Sequence, residues 1–203
     1  RFWKGLNAQL QYQIIAPFLL LTVVVMVAGA LVVFSMLGQS LEERFANQLA
    51  SVTQGIGLVR VTIQYNSPDV HSPTGEDRRG KIWGTDVAHY GMANLGFGTC
   101  GDQCPWRGGA NENTVFTTSH DVKVQGQPLP AGSYGLHFIP GQDEWIVVFS
   151  KNHTSWGSYF YDAKEDALRV KAKPQKSDYH EWLTYEFTDR EPDKATVALK
   201  WEN

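Results

Sequence analysis

Two cysteines, a Trp-Arg pair and an Asn-Glu-Asn cluster fall within one short stretch, "TCGDQCPWRGGANENT" at residues 99–114. Cys100 and Cys104 make a C-x₃-C spacing, which is neither the redox C-x-x-C nor the haem-attaching C-x-x-C-H. In an oxidising compartment a local Cys100–Cys104 disulfide is expected. The alternatives are two free thiols, or a metal site completed by His89 or His120, although zinc would want four ligands and only two are evident. "GFGTCG" at 96–101 matches G-x-G-x-x-G, but a dinucleotide loop must open a helix, and Pro105, Gly108 and Gly109 follow instead. No nucleotide site is expected there.

Trp106 and Arg107 could stack on or hold a partner or an anion; an aromatic with a long basic neighbour also commonly covers a core edge. Asn111, Glu112 and Asn113 can cap turns through their side chains. Six histidines are present, at 71, 89, 120, 137, 153 and 180. If the strands bearing His120 and His137 pair, those two could meet near Glu112 and form a metal or acid–base cluster; hydrogen-bonded histidines on a sheet are the plainer alternative. "HEWLT" at 180–184 begins like a zincin helix but has Thr184 where the second histidine should stand. There is no G-x-S-x-G elbow and no P-loop. Asn152-His153-Thr154 fits a glycosylation sequon. No catalytic residue, no metal and no cofactor is expected.

These residues must be positioned by something, and the composition says what. The 203-residue chain has 19% charged and 12% aromatic residues with 19 glycines, which suits a folded β-rich domain. Its net charge of −3 argues against a nucleic-acid partner. From Gly5 to Leu41 there is no charged residue, and "IIAPFLLLTVVVMVAGALVVFSML" at 14–37 is almost wholly apolar. Such a run makes roughly 36 Å of helix against a hydrocarbon core of about 30 Å. Arg1 and Lys4 with Ala28-Gly29-Ala30 also resemble a signal peptide, but the apolar run continues past that small-residue site. The expectation is an uncleaved single span. Arg1 and Lys4 precede it, and Glu42, Glu43 and Arg44 follow, which by the positive-inside tendency places residues 1–13 in the cytoplasm and the C-terminal domain outside the inner membrane. Residues 1–50 resemble the N-terminal anchors of bacterial sensor kinases and chemoreceptors.

Beyond the span, Leu37, Leu41, Phe45 and Leu49 recur every four residues, and Ser40 with Glu43 could form a capping box. Residues 38–53 are therefore expected as a helical stalk with one apolar stripe. From 54 onward the period is two. Val59, Val61, Ile63 and Tyr65 alternate with polar residues, as do Leu168, Val170 and Ala172. Leu183, Tyr185 and Phe187 share a face, and so do Val197, Leu199 and Trp201. "VFTTS", "SYGLHFI" and "EWIVVF" add strands. Turn signals stand at Asn66-Ser67-Pro68, Gly126-Gln127-Pro128, Pro140-Gly141-Gln142 and Glu191-Pro192-Asp193. The pattern predicts an all-β antiparallel sandwich or barrel over 54–203, preceded by one transmembrane α-helix.

The segments "VTIQYNSPDV", "RRGKIWG", "PWRGGANENT", "LPAGSYGLHFIPGQDEWIVVFSKN", "SWGSYFYDAKEDALRVKAKP" and "HEWLTYEFTD" resemble, in order and nearly without gaps over residues 51–203, the bacterial family known as domain of unknown function 2911. The resemblance implies a secreted or envelope-located all-β domain. It brings no activity, cofactor or catalytic set with it.

Two functional expectations follow. The first is a non-catalytic accessory or scaffolding subunit of a larger bacterial membrane complex, of the respiratory or photosynthetic kind. It would contact the lipid bilayer and other subunits through Ala28, Gly29 and Ala30 and through Leu41, Phe45 and Leu49, with Trp106 and Arg107 as further partner contacts. The second is an anchored small-molecule or glycan binding module or hydrolase, with Glu112, His120 and His137 converging in an aromatic-lined pocket.

Overall fold

In the computed structural model of the chain, residues 26–32, 49–72 and 74–202 are described. The chain divides into an N-terminal unit ending at Phe45 and a second unit beginning at Ala46. In the first, residues 26–32 are helical and exposed, and a Cβ added at Gly29 would meet nothing within 4 Å. The rest of the 14–37 run, together with Leu41 and Phe45, lies outside the described residues. Among the described residues no helix is long and apolar enough to cross a membrane.

The second unit is antiparallel β. Among the described residues the ten strands are β1 (Leu49–Ile56), β2 (Val59–Asn66), β3 (Val115–Thr118), β4 (Val122–Val124), β5 (Gln127–Leu129), β6 (Gly132–Ile139), β7 (Trp145–Ser150), β8 (Asp166–Ala172), β9 (His180–Thr188) and β10 (Thr196–Glu202). Six of them form one sheet in the order β1-β2-β3-β6-β7-β8; β9 and β10 form a hairpin, and β4 and β5 a small one. Register follows the apolar alternation, because a slip of one residue would turn every core side chain outward. Ile63 faces Phe116 and Phe116 faces Tyr134, while Leu136 faces Phe149 and Phe149 faces Leu168. These side chains form one buried face, covered by Leu183, Tyr185 and Phe187 of β9. Tyr65 meets Tyr185 edge-on, with ring centroids 4.7 Å apart. At one end the layers close over four tryptophans: Trp83 lies 5.6, 5.1 and 5.8 Å from Trp106, Trp145 and Trp201.

Several expectations are corrected. Strand β1 starts at Leu49, so residues 49–53 belong to the sheet rather than to a helical stalk. Pairing with β2 satisfies their backbone, Leu49 opposite Asn66 through Ile56 opposite Val59. Asn66-Ser67-Pro68 is not a reversal but a crossover between the layers. The Pro68 carbonyl accepts the Leu183 N–H at 2.9 Å, the Ser67 hydroxyl donates to the Leu183 carbonyl at 2.6 Å, and the Val70 N–H reaches the Glu181 carbonyl at 2.8 Å. Proline serves here because only its acceptor is needed. The β4–β5 turn sits at Gln125-Gly126, both with positive φ, and Pro128 belongs to β5. Finally, Val197 is 42% exposed although its facing partner Phe187 is buried. Among the described residues β10 pairs only with β9, so its inward residues overhang until Trp201 reaches the tryptophan cluster.

The opposite face of the six-stranded sheet carries a second, smaller core of Cys100, Cys104, Val148 and Tyr161. It is closed by the 91–104 loop, tied down where the Thr99 and Cys100 N–H groups both donate to the Tyr159 carbonyl and where Ala93 pairs with Cys104.

Candidate functional site

Cys100 and Cys104 are joined in a disulfide, with Cα atoms 5.1 Å apart. Both sulfurs are thereby used, so neither is available as a metal ligand, and His89 instead places Nδ1 3.1 Å from the Gly91 carbonyl oxygen. The bridge clamps the loop that roofs the second core. Immediately after it the chain pairs alongside β6 through an antiparallel bridge between Trp106 and Phe138. The Trp106 N–H donates to the Phe138 carbonyl at 2.8 Å, and the Phe138 N–H returns the bond to Trp106 at 2.7 Å. This pairing turns the Trp106 side chain inward, where it is 4% exposed and stacks on Trp201 with planes 4° apart. Trp106 is thus a core residue. The chain then bends away through Gly108, where φ is +63° and any Cβ would collide with the Phe138 ring and the Tyr185 hydroxyl. Tyr185 in turn donates its hydroxyl to the Gly108 carbonyl at 2.7 Å.

The expected Glu112, His120 and His137 cluster does not assemble. Glu112 is exposed and accepts from Asn66 Nδ2 at 2.7 Å. His120 is exposed beyond the Thr118–Gly132 pair, with Nδ1 2.9 Å from Ser119 Oγ. His137 lies five residues further along β6 than Gly132, about 16 Å away at the rise of a strand. It is buried under the second core, with Nδ1 2.9 Å from Ser158 Oγ and its ring edge-on to Tyr161. Burial first, and the Arg107 charge second, push its pKa down to about 3, so it is neutral. No group of three His, Cys, Asp or Glu side chains among the described residues is placed to hold a metal. Leu49, offered as a partner contact, is 73% exposed at the start of the edge strand β1.

What the fold does assemble is a cleft of about 390 Å³ between the tryptophan end of the sandwich and the 156–159 loop. Buried Trp106 and Trp201 form its inner wall, and the exposed Trp156 and Asp86 stand at its mouth. Asp69 and Arg78, 3.8 Å apart, line another side. Burial raises the Asp69 carboxyl and lowers the His89 imidazole. Arg107 enters the cleft half-buried. Its guanidinium lies 5.0 Å over the Tyr159 ring, and Nη1 donates to the Asn111 carbonyl at 2.6 Å. Gly157 presses against it: a Cβ there would come within 2.8 Å of Nη1 and 2.9 Å of Cζ. Among the described residues no carboxylate lies within 4.0 Å of Arg107, whereas Arg78 is offset by Asp69.

Arg107 was singled out in the sequence. His89 was named only as a possible metal ligand and Trp201 only as a strand residue; Asp69, Arg78, Trp156 and Tyr159 were not named, since they come from separate segments. Another ionisable group, also unforeseen, is structural. His71 Nδ1 is 2.9 Å from Glu181 Oε1, and the Tyr179 hydroxyl donates to the same carboxylate. Burial would raise Glu181, but the Tyr179 and His71 hydrogen bonds outweigh it and hold the carboxyl down to about 2.

Residues 47–203 match the family model described as Protein of unknown function (DUF2911). The chain belongs to the DUF2911 family. The matched region opens two residues before β1, so the DUF2911 domain includes the edge strand and the whole of the cleft. No curated protein matches the chain, and no solved structure does.

Proposed function

We propose that the chain is a membrane-anchored, extracytoplasmic accessory subunit of a larger bacterial membrane complex, and that its DUF2911 domain recognises rather than reacts. Residues 14–37 would form the single span, with the N-terminus in the cytoplasm. The observation that carries the reading is the dispersal of the groups capable of acid–base work. Glu112 is engaged by Asn66, His120 is exposed at a strand end, and His137 is sealed and neutral. The cleft instead gathers aromatic and hydrogen-bonding side chains suited to holding a partner or a small molecule. The charge-free apolar run supports membrane attachment, and the buried disulfide suits an oxidising compartment.

The test is extraction from native membranes with a mild detergent. The protein should resist an alkaline wash and migrate with defined partner proteins in constant ratio. A protein released by the wash, or one that runs alone as a monomer, would overturn the reading. The envelope-hydrolase alternative required a convergent Glu112, His120 and His137, and it is dropped; its small-molecule binding half is retained in the cleft.

A further inference from the structure

We propose that the Arg107 cleft is a binding site for a small oxyanion, a carboxylate or a phosphate, carried on a flat apolar body that lies against Trp156. The inference rests on reading the domain as a recognition module, and it adds the class of ligand. Arg107 is the cleft's cation without a carboxylate partner among the described residues, while Arg78 is neutralised by Asp69. A guanidinium carries five N–H donors in a rigid plane, matched to the paired oxygens of a carboxylate or phosphate. Here Tyr159 fixes that plane from one side, Gly157 crowds it closely, and the Asn111 carbonyl engages Nη1. The side chain is therefore pre-ordered, which removes part of the entropic cost of binding.

Trp201, a residue lining the same cleft, is 3% exposed and forms a fixed inner wall against which a bound molecule would rest. The apolar part of the ligand follows from Trp156, which is half exposed at the mouth although it is a large aromatic. Stacking a flat group on it removes that surface from water.

The experiment uses the full 203-residue chain in non-ionic detergent micelles, with tryptophan indole N–H resonances as the readout. The probes are sodium benzoate, phenyl phosphate, inorganic phosphate and, as the uncharged control, benzamide. Benzoate or phenyl phosphate should shift the Trp156 and Trp201 signals saturably, with benzamide at least about tenfold weaker, as loss of a charge-assisted pair implies. Whichever of the two binds more tightly identifies the oxyanion. Arg107→Gln should weaken binding by about tenfold or more. Arg107→Lys, which keeps the charge but loses the fork, should fall between and serves if the glutamine variant misfolds. Trp156→Ala should weaken benzoate or phenyl phosphate more than inorganic phosphate. The proposal is overturned if benzamide binds as well as benzoate, if Arg107→Gln and Arg107→Lys both stay within twofold of the parent, or if none of the three anions gives a saturable shift. Membrane extraction is indifferent to these outcomes, so failure here leaves the accessory-subunit reading standing, and the converse holds.

Discussion

The imidazole of His137 points, by strand alternation, to the face of the sheet opposite the main core, and there it meets Ser158 and Tyr161. Its pKa of about 3 lies far below the ordinary value of 6.5. The unfolded chain therefore takes up a proton near pH 6.5 that the folded chain refuses. Stability from this residue is complete above about pH 6.5 and declines as the pH falls toward 3. Glu181 acts in a lower window. Its carboxyl is held at about 2 against 4.5 unfolded, so its contribution is lost as the pH falls below 4.5. Denaturant midpoints measured between pH 6.5 and 5 should thus fall in the parent protein, and they should fall less steeply in His137→Gln. His89, shifted the same way, accounts for a remainder. An unchanged slope would mean that His137 is protonated and paired in the fold.

At the scale of the strands, the period-two runs located β2, β8 and β9 well. Each buries its alternate residues against one continuous partner: Val61, Ile63 and Tyr65; Leu168 and Val170; Leu183, Tyr185 and Phe187. The same alternation misjudged Val197, because a period states which side a residue faces and not whether anything covers that side. Trp201→Ala should cost roughly 3–5 kcal/mol, since it opens a cavity within the tryptophan cluster. Val197→Thr should cost well under half of that. Urea denaturation of the two variants decides the point, and equal losses would place Val197 in the core. The cleft was legible only in part, through Trp106 and Arg107, with His89 and Asn111 named for other roles. Its other residues lie far apart in the chain and meet because the Pro68 crossover brings 68–70 onto β9 while Trp106 pairs alongside β6. Neither contact leaves a periodic trace. The supposed stalk failed at its end for a related reason: Leu49 fits both a four-residue stripe and the first position of an edge strand, and pairing with Asn66 decides for the strand.

For the molecule as a whole, the N-terminal unit and the DUF2911 domain are separate compact units, so a change in one should spare the other. Between lipid tails no hydrophobic drive assembles helices, and close packing of small residues takes its place. If residues 14–37 span the membrane, Ala28, Gly29 and Ala30 offer such a patch, and among the described residues a Cβ added at Gly29 would meet nothing within 4 Å beyond its own helix. Gly29→Leu should therefore abolish co-purification with partner proteins while the domain keeps its urea midpoint. Retained co-purification would reduce the segment to a tether.

The tryptophan cluster joins residues 83, 106, 145 and 201, which are drawn from widely separated parts of the domain's chain. Neighbouring strands from β6 to β8 can pair as soon as they exist, whereas the Ser67–Leu183 bond closes a loop of 116 residues. Long loops are slow to close, so this docking should come late in folding. In a stopped-flow refolding experiment the far-ultraviolet signal of the sheet should rise first, and tryptophan emission should change with the slowest phase. On the ribosome the cluster must wait until residue 201 has emerged. Until then Trp83, Trp106 and Trp145 stand uncovered, an aromatic surface open to aggregation or to a chaperone.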